Sequence, residues 1–380
     1  MSVPSRVRQV VVHPLPALPQ HSANILPEWA QPAIRTPIAQ PWPENQNRFV
    51  IGVVDDLGNT GWFGPVSASV AAIIRDQIMP WAMGVEVRAW RSAATIRPQG
   101  RHRSGSHVRL AISAVELALW DLRSRILNLA IGDLIGGRAR TVVPAYATAL
   151  GIDIDHPVAP EVASWLVEEG FWGQKWRLPG YDRGEPPQAD ARRLERLRIA
   201  IGDAARLCVD AGKRWNTGYA RQMLPVLAEH QVTWIEEPGM VSDNDLARFG
   251  LVHAAGEHDY DSDDQLLTLT CGTVQAWQPD PSWNGGLAHS VRMVELAAAL
   301  GIPCFPHGSN LPAALHLASL MPSEAIPAVE YHLSLEPLRQ AVYTVPLIPD
   351  RGAFALTDRP GLAAPYRLDE TNVPGSHHAA

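Results

Sequence analysis

The sequence predicts an α/β fold: a closed (β/α) barrel with a small α+β domain in front of it. Two observations predict it. From Val142 onward, short apolar runs alternate with helical stretches, the pattern of a parallel sheet whose crossovers are helices. The runs are VVPAYAT, GQKWRLP, RLCVD, VTWIEEP, VHAAGEH, VQAWQPD, IPCFPHG and AIPAVEYH, and this many at this spacing point to closure. Helical periodicity fills the intervals, as in LERLRIAIGDAA, YARQMLPVLAEH and AHSVRMVELAAALG.

Residues 1–140 read as the N-terminal capping domain. Arg6 to His13 alternates as a strand, and Phe49 to Val54 reads as a second one. Between them Pro14 to Asn47 is Pro-rich and nearly aperiodic, and a loop that long in a compact domain is functional or disordered. DDLGNTGWFG, Asp55 to Gly64, has the turn chemistry of a hairpin. Helices are expected at about 66–82 and 110–130. In the second, Ser113 followed by Glu116 has capping-box spacing, and Val115, Ala118, Leu119 and Leu122 share a face. The barrel takes 141–335, and 336–380 is expected to return to the first domain and end in a polar tail.

Composition narrows the function. The chain is 46% hydrophobic and 19% charged, enough for a large core and too little charge for disorder. A net charge of -7 argues against a nucleic-acid binder, which needs clustered Lys and Arg on phosphates. The one basic run, Arg97 to Arg109, reads as a solvated loop. Cys208, Cys271 and Cys304 are widely separated, with no CxxC spacing, so neither a disulfide framework nor a thiolate metal site is expected. Cys208 and Cys304 sit in apolar segments, as inert buried thiols do. The N-terminal apolar patch is too short and Pro-interrupted for a secretory signal, and no stretch approaches a membrane span. A cytoplasmic setting is the expectation.

The chemistry is at the strand ends. Side chains there converge on one mouth of such a barrel. Reading along, they are Lys175 with Arg177, Asp210, Glu236 with Glu237, Glu257, Asp280, His307 and Glu330. One strand-end carboxylate commonly caps the next helix. Asp, Glu and Glu on three successive strands instead call for a cation between them, because crowded carboxylates do not all stay ionised without one. All-oxygen ligation with room for water suits Mg²⁺ rather than zinc. A divalent ion there would stabilise the dianion formed when a carboxylate substrate loses its α-proton. His307 can be the base for that step, with Asp280, one strand back, orienting it.

These motifs resemble the mandelate racemase branch of the enolase superfamily, whose members pair a base with magnesium. The matching pieces are AISAVELALWDLRSRILNLAIGDLIGG, VPAYAT, QKWR, CVDAG, WIEEP, AAGEHDYD, QPDPSWNGG, PHGSN and VEYH, and the resemblance runs from about Arg6 to Leu362. The resemblance implies a modified TIM barrel with a capping domain, Mg²⁺ held by Asp210, Glu236 and Glu257, and a His307–Asp280 dyad. It places Glu330 against the substrate carboxylate and Lys175 with Arg177 on the other side of the substrate. GEHDYD, QPDPSWNGG and PHGSN look most like acid-sugar dehydratases of the rhamnonate type, which convert an aldonate to a 2-keto-3-deoxy acid through an enediolate. In that group the long N-terminal loop reads the distal substrate, which points to Gln20, His21 and Asn24. The resemblance further implies a symmetric homo-oligomer, to which the 13 tryptophans would be suited. Three features depart from the pattern, one of them the DAG at 210–212, where many relatives have Asn after DA. The second-strand motif is K-x-R, and arginine is a poor base because it stays protonated. The link from Glu237 to Glu257 is short. An epimerase, racemase or cycloisomerase on the same site is the enzymatic alternative, favoured if Lys175 is a competent base; a non-catalytic metabolite-binding barrel is the other.

Overall fold

A computed structural model of the chain describes residues 5–15, 24–35, 48–88, 105–362 and 365–368. The first unit is an antiparallel sheet in the order β1 (Val7–Pro14), β2 (Phe49–Asp55), β3 (Thr60–Val66). Its hairpin is closed by Asp55, whose Oδ1 accepts from Leu57 N at 3.0 Å and Asn59 N at 2.7 Å, the local bonding that favours Asp in turns. The sheet packs on the helix Ser106–Leu127, with β3 so close that a Cβ on Gly61 would stand 2.2 Å from Leu122 N. Helix also covers 68–82, with a π-type turn, Ile74–Ile78, between Ala68–Ile73 and Met79–Ala82.

The capping-box reading of Ser113 and Glu116 is corrected here. The helix starts at Ser106, so both residues lie inside it and cap a different helix. The barrel helix Leu287–Ala299 begins after Gly286, which has no side chain to satisfy its first N–H groups. Glu116 supplies the acceptors across the domain boundary: Leu287 N donates to it at 2.8 Å and Ala288 N at 3.0 Å. Ser113 Oγ accepts from Gly285 N at 2.9 Å. The basic run is corrected in part as well. Arg109 is in this helix and pairs with Asp261 of the barrel at 2.5 Å.

The barrel strands are β4 (Val142–Thr148), β5 (Gln174–Arg177), β6 (Leu207–Asp210), β7 (Ile235–Glu236), β8 (His253–Ala255), β9 (Ala276–Trp277) and β10 (Val329–His332). Each pairs in parallel with the next from β4 to β9, and β10 returns to pair with β4. IPCFPHG, expected as a strand, makes only a bridge from Cys304 to Trp277 because its prolines cannot donate to a ladder. It still closes the ring: Phe305 N donates to Trp277 O, and Glu330 N to Pro306 O. The short Glu237-to-Glu257 link holds a helix of six residues, Asp243–Arg248, and β8 keeps its register with β7. An antiparallel strand, β11 (Ala353–Ala355), adds to β4. Beyond it, Leu362 N donates to Asp121 Oδ1 at 2.6 Å and Tyr366 Oη to Gly64 O at 3.0 Å, which ties the C-terminal segment to the first sheet and its helix.

Tyr146, Trp234 and Phe305, with Trp172 against them, fill the barrel interior together with Cys208 and three alanines. Trp172 stacks on Trp234 and the other rings meet edge-on or tilted, with Trp234 and Phe305 centroids 4.7 Å apart. Trp120, Trp176, Trp234 and Trp277 are buried inside this one chain, so much of the tryptophan content is core rather than interface. This aromatic floor makes the mouth above it a low-dielectric site.

Candidate active site

Register assembles the mouth. Arg177, Asp210 and Glu236 are direct partners across β5, β6 and β7. Parallel partners point to the same side of a sheet. Lys175, two residues before Arg177, shares that side. The Lys175 ammonium is fully buried, 2.8 Å from each oxygen of Glu236 and 3.0 Å from Glu330 Oε1. Burial alone would lower its pKa, but Glu236 and Glu330 more than offset this and hold it well above the ordinary value. Lys175 is therefore a fixed cation bridging two carboxylates. Arg177 is a third exposed, with its guanidinium 3.6 Å from Asp182.

Glu330 is well satisfied. It accepts from Thr148 Oγ1 at 2.5 Å and from Gly308 N at 2.8 Å. Burial opposes its ionisation, but Lys175 and His307 prevail and keep it below the usual range. Asp210, Glu236 and Glu257 differ. All three are pushed above the usual carboxylate range, first by burial and then by the charges of neighbouring carboxylates, Lys175 notwithstanding. The positive charge of Lys175, Arg177 and His307 near them is too little to offset burial and mutual repulsion. An all-oxygen trio in that condition fits a divalent cation such as Mg²⁺ and could hold one.

The dyad groups are adjacent. His307 Nδ1 is 2.8 Å from Asp280 Oδ2, and Nε2 is 3.2 Å from Glu257 Oε2. Asp280 is buried and also accepts from Ser282 N and Oγ and from Ser309 Oγ. Although burial raises its pKa, the bond and charge of His307 and those hydroxyls hold it below the usual range. An ionised Asp280 puts the proton on Nδ1 and leaves Nε2 as the reactive atom. Burial lowers the affinity of His307 for its proton, but Glu257 and Asp280 outweigh it and push the pKa up to about 10. Any charge that neutralises Glu257 removes one of these attractions. The Trp283 ring stands 4.7 Å from His307 and forms the wall beside it.

Gln278 and His258, which the strand-end reading did not single out, belong to this mouth with Glu237, which it did. Gln278 donates to Glu236 Oε2 at 2.5 Å. Glu237, buried with a φ of 44°, accepts from His258 Nδ1 at 2.7 Å and pairs with Lys213 at 3.1 Å. Among the described residues, Glu237, Glu257 and His258 are the trio whose ligand atoms all lie within 4.8 Å of one another. His258 and Lys213 hold Glu237 below the usual carboxylate range, whereas Asp210, Glu236 and Glu257 stay above it even with Lys175 on Glu236 and His307 beside Glu257. That contrast favours the latter as the cation set. The GEH tripeptide and the doubled Glu of WIEEP were the available signals for this cluster. Asn24 is exposed, and its Oδ1 accepts from Leu26 N at 3.1 Å. Gln20 and His21 lie outside the described residues. Cys208 and Cys304 are buried and pushed far up by burial, and Cys271 is exposed.

Residues 158–370, more than half of the chain, match the family described as enolase C-terminal domain-like. Residues 50–136 match the mandelate racemase / muconate lactonizing enzyme N-terminal domain. The chain belongs to the enolase superfamily, in its mandelate racemase branch. Within that superfamily it is similar to the D-galactarolactone cycloisomerase of Agrobacterium fabrum, 28% identical over 86% of this chain and 90% of the relative. It is also similar to the L-rhamnonate dehydratase of Saccharopolyspora erythraea, 32% identical over 53% of this chain and 51% of that one. The chain thus spans about half the length of the rhamnonate dehydratases it matches. Among solved structures, a racemase from Streptomyces coelicolor with bound magnesium superposes with a TM-score of 0.73 at 25% identity, covering 96% of this chain and 97% of that one. Enolase superfamily membership makes the chain an enzyme. Among the described residues, no helix is long and apolar enough to cross a membrane.

Proposed function

We propose that this enolase superfamily member abstracts the α-proton of a sugar acid with His307 and expels the β-oxygen, giving a 2-keto-3-deoxy acid. The observation that carries the reading is the asymmetry of the mouth. One side has an oriented His–Asp pair; the residues of the second strand offer no free base. Lys175 is locked between Glu236 and Glu330, and Arg177 stays protonated. Racemisation needs a base on each face of the α-carbon, whereas elimination needs one group that takes a proton and returns it.

When bound by Asp210, Glu236 and Glu257, Mg²⁺ supplies positive charge to the substrate carboxylate as the α-proton leaves. His307 Nε2 receives that proton, and Asp280 stabilises the resulting imidazolium. Lys175 and Glu330 hold the opposite edge of the mouth. The α C–H and β C–O bonds break, a C=C bond forms, and His307 returns its proton to the departing oxygen. The enol product then tautomerises to the keto acid. An open-chain substrate loses water in this step. A substrate whose β-oxygen lies in a ring opens that ring and yields an isomer. This second reading, a cycloisomerase, is favoured by the similarity to the Agrobacterium cycloisomerase along nearly its whole length.

The test is a screen of open-chain and ring-containing sugar acids with purified protein and Mg²⁺, reading 2-keto acid formation for wild type and His307→Asn. Loss of at least about 10³-fold in kcat is expected for the variant, with Mg²⁺ affinity retained. Product mass separates the readings, because dehydration removes one water and cycloisomerisation none. No keto acid and no solvent deuterium at the α-carbon from any acid would sink the proposal.

A further inference from the structure

Next to the dyad, a cavity of about 170 Å³ runs between the first domain and the barrel loops. It shares walls with the site already described. Ser282 and Ser309, which bind Asp280, line it, and so does Trp283, which packs on His307. Among the described residues no carboxylate lines this cavity, but two arginines do, Arg48 and Arg339. Their situations differ. Arg339 is occupied, donating to Gly308 O at 2.5 Å and pairing with Glu336 at 3.2 Å. Arg48, immediately before β2, is half-buried and pairs with no carboxylate among the described residues. Burial lowers its pKa, and no neighbouring acid offsets that effect.

Removing a guanidinium from water without a counter-charge is costly, so an arginine held in that way awaits an anion. Its planar fork of donors matches a carboxylate with two parallel hydrogen bonds. The hydroxyls of Ser282 and Ser309 are committed to Asp280 and Arg339 to Glu336, which leaves Arg48 as the cavity's uncommitted cation among the described residues. We propose that Arg48 binds a second carboxylate at the far end of the substrate, so that the acids turned over are diacids of the aldarate class. The inference rests on the elimination reading above and names its substrate class. A monoacid would leave a hydroxyl facing a desolvated cation, and that mismatch sets the preference.

The test uses intact protein with Mg²⁺ and two variants, Arg48→Met, which keeps an apolar stem, and Arg48→Lys. Hexarates are compared with aldonates of the same stereochemistry. The wild-type ratio of kcat/KM, hexarate to aldonate, is expected to be about 10² or more, to collapse in Arg48→Met and to recover in part in Arg48→Lys. Binding of adipate and of hexanoate, measured by calorimetry, gives a readout without turnover. Adipate affinity should fall about 10- to 100-fold in Arg48→Met, with hexanoate affinity moving far less. A wild type that prefers aldonates or 6-phospho-aldonates, or a variant that weakens adipate and hexanoate equally, overturns the inference and leaves the elimination reading standing. Adipate binding through Arg48 without turnover of any acid supports the diacid site and sinks the elimination reading instead.

Discussion

Glu116 gives a stability prediction whose pH dependence runs against intuition. It caps a barrel helix from another domain, and its carboxylate accepts from Leu287 N, Ala288 N and Trp120 Nε1. Burial outweighs those bonds and pushes its pKa from 4.5 to about 7. The folded protein therefore holds this proton more tightly than the unfolded chain. Its contribution is fully present below pH 4.5 and erodes as pH rises through 7. Over that window the gap corresponds to about 3 kcal/mol. Glu116→Ala orphans three donors, at roughly 1.5 kcal/mol each, or about 4–5 kcal/mol. At pH 5 nothing offsets that loss, whereas at pH 8 the variant regains about 3 kcal/mol by no longer burying a charge, leaving about 1–2 kcal/mol. The assay is urea unfolding of wild type and variant at both pH values, followed by far-UV circular dichroism. A penalty that is equal at the two pH values, or larger at pH 8, would refute the reasoning. A penalty below about 0.5 kcal/mol at pH 5 would refute the cap itself.

The remaining predictions concern the mouth. Lys175→Met removes the cation shared by Glu236 and Glu330 and is expected to cost about 3–5 kcal/mol in EDTA, with part recovered in Mg²⁺; thermal unfolding under both conditions checks it, and an identical penalty in each would separate Lys175 from the cation site. Asp280→Asn keeps an acceptor for Ser282 and Ser309 but loses the charge that sets the His307 tautomer. Its kcat should fall about 10²- to 10⁴-fold with Mg²⁺ binding unchanged, as measured by turnover and calorimetry.

Much of the architecture was legible because a barrel writes itself locally. Each βα unit repeats an apolar run, a polar strand end and an amphipathic helix, so Asp210, Glu236, Asp280 and His307 announce themselves one strand at a time. Closure at Cys304 was legible as an apolar segment but not as a single bridge, since its prolines remove ladder donors that periodicity does not count. Ser113 and Glu116 misled for a related reason. Their spacing is that of a cap, and they do cap a helix end, but one about 170 residues away in the chain.

The sequence by itself determined which residue types stand at the mouth, because the residues at successive strand ends follow from local order. Tertiary structure decided which of those groups are free to act. Lys175 and Arg177 lie two residues apart on one strand, yet one is locked by two carboxylates and the other reaches solvent. Arg48 has no local motif at all. Its isolation and its cavity exist only where the first domain meets the barrel. Ionisation and pairing depend on burial and on distances between residues far apart in the chain, and no local pattern encodes those.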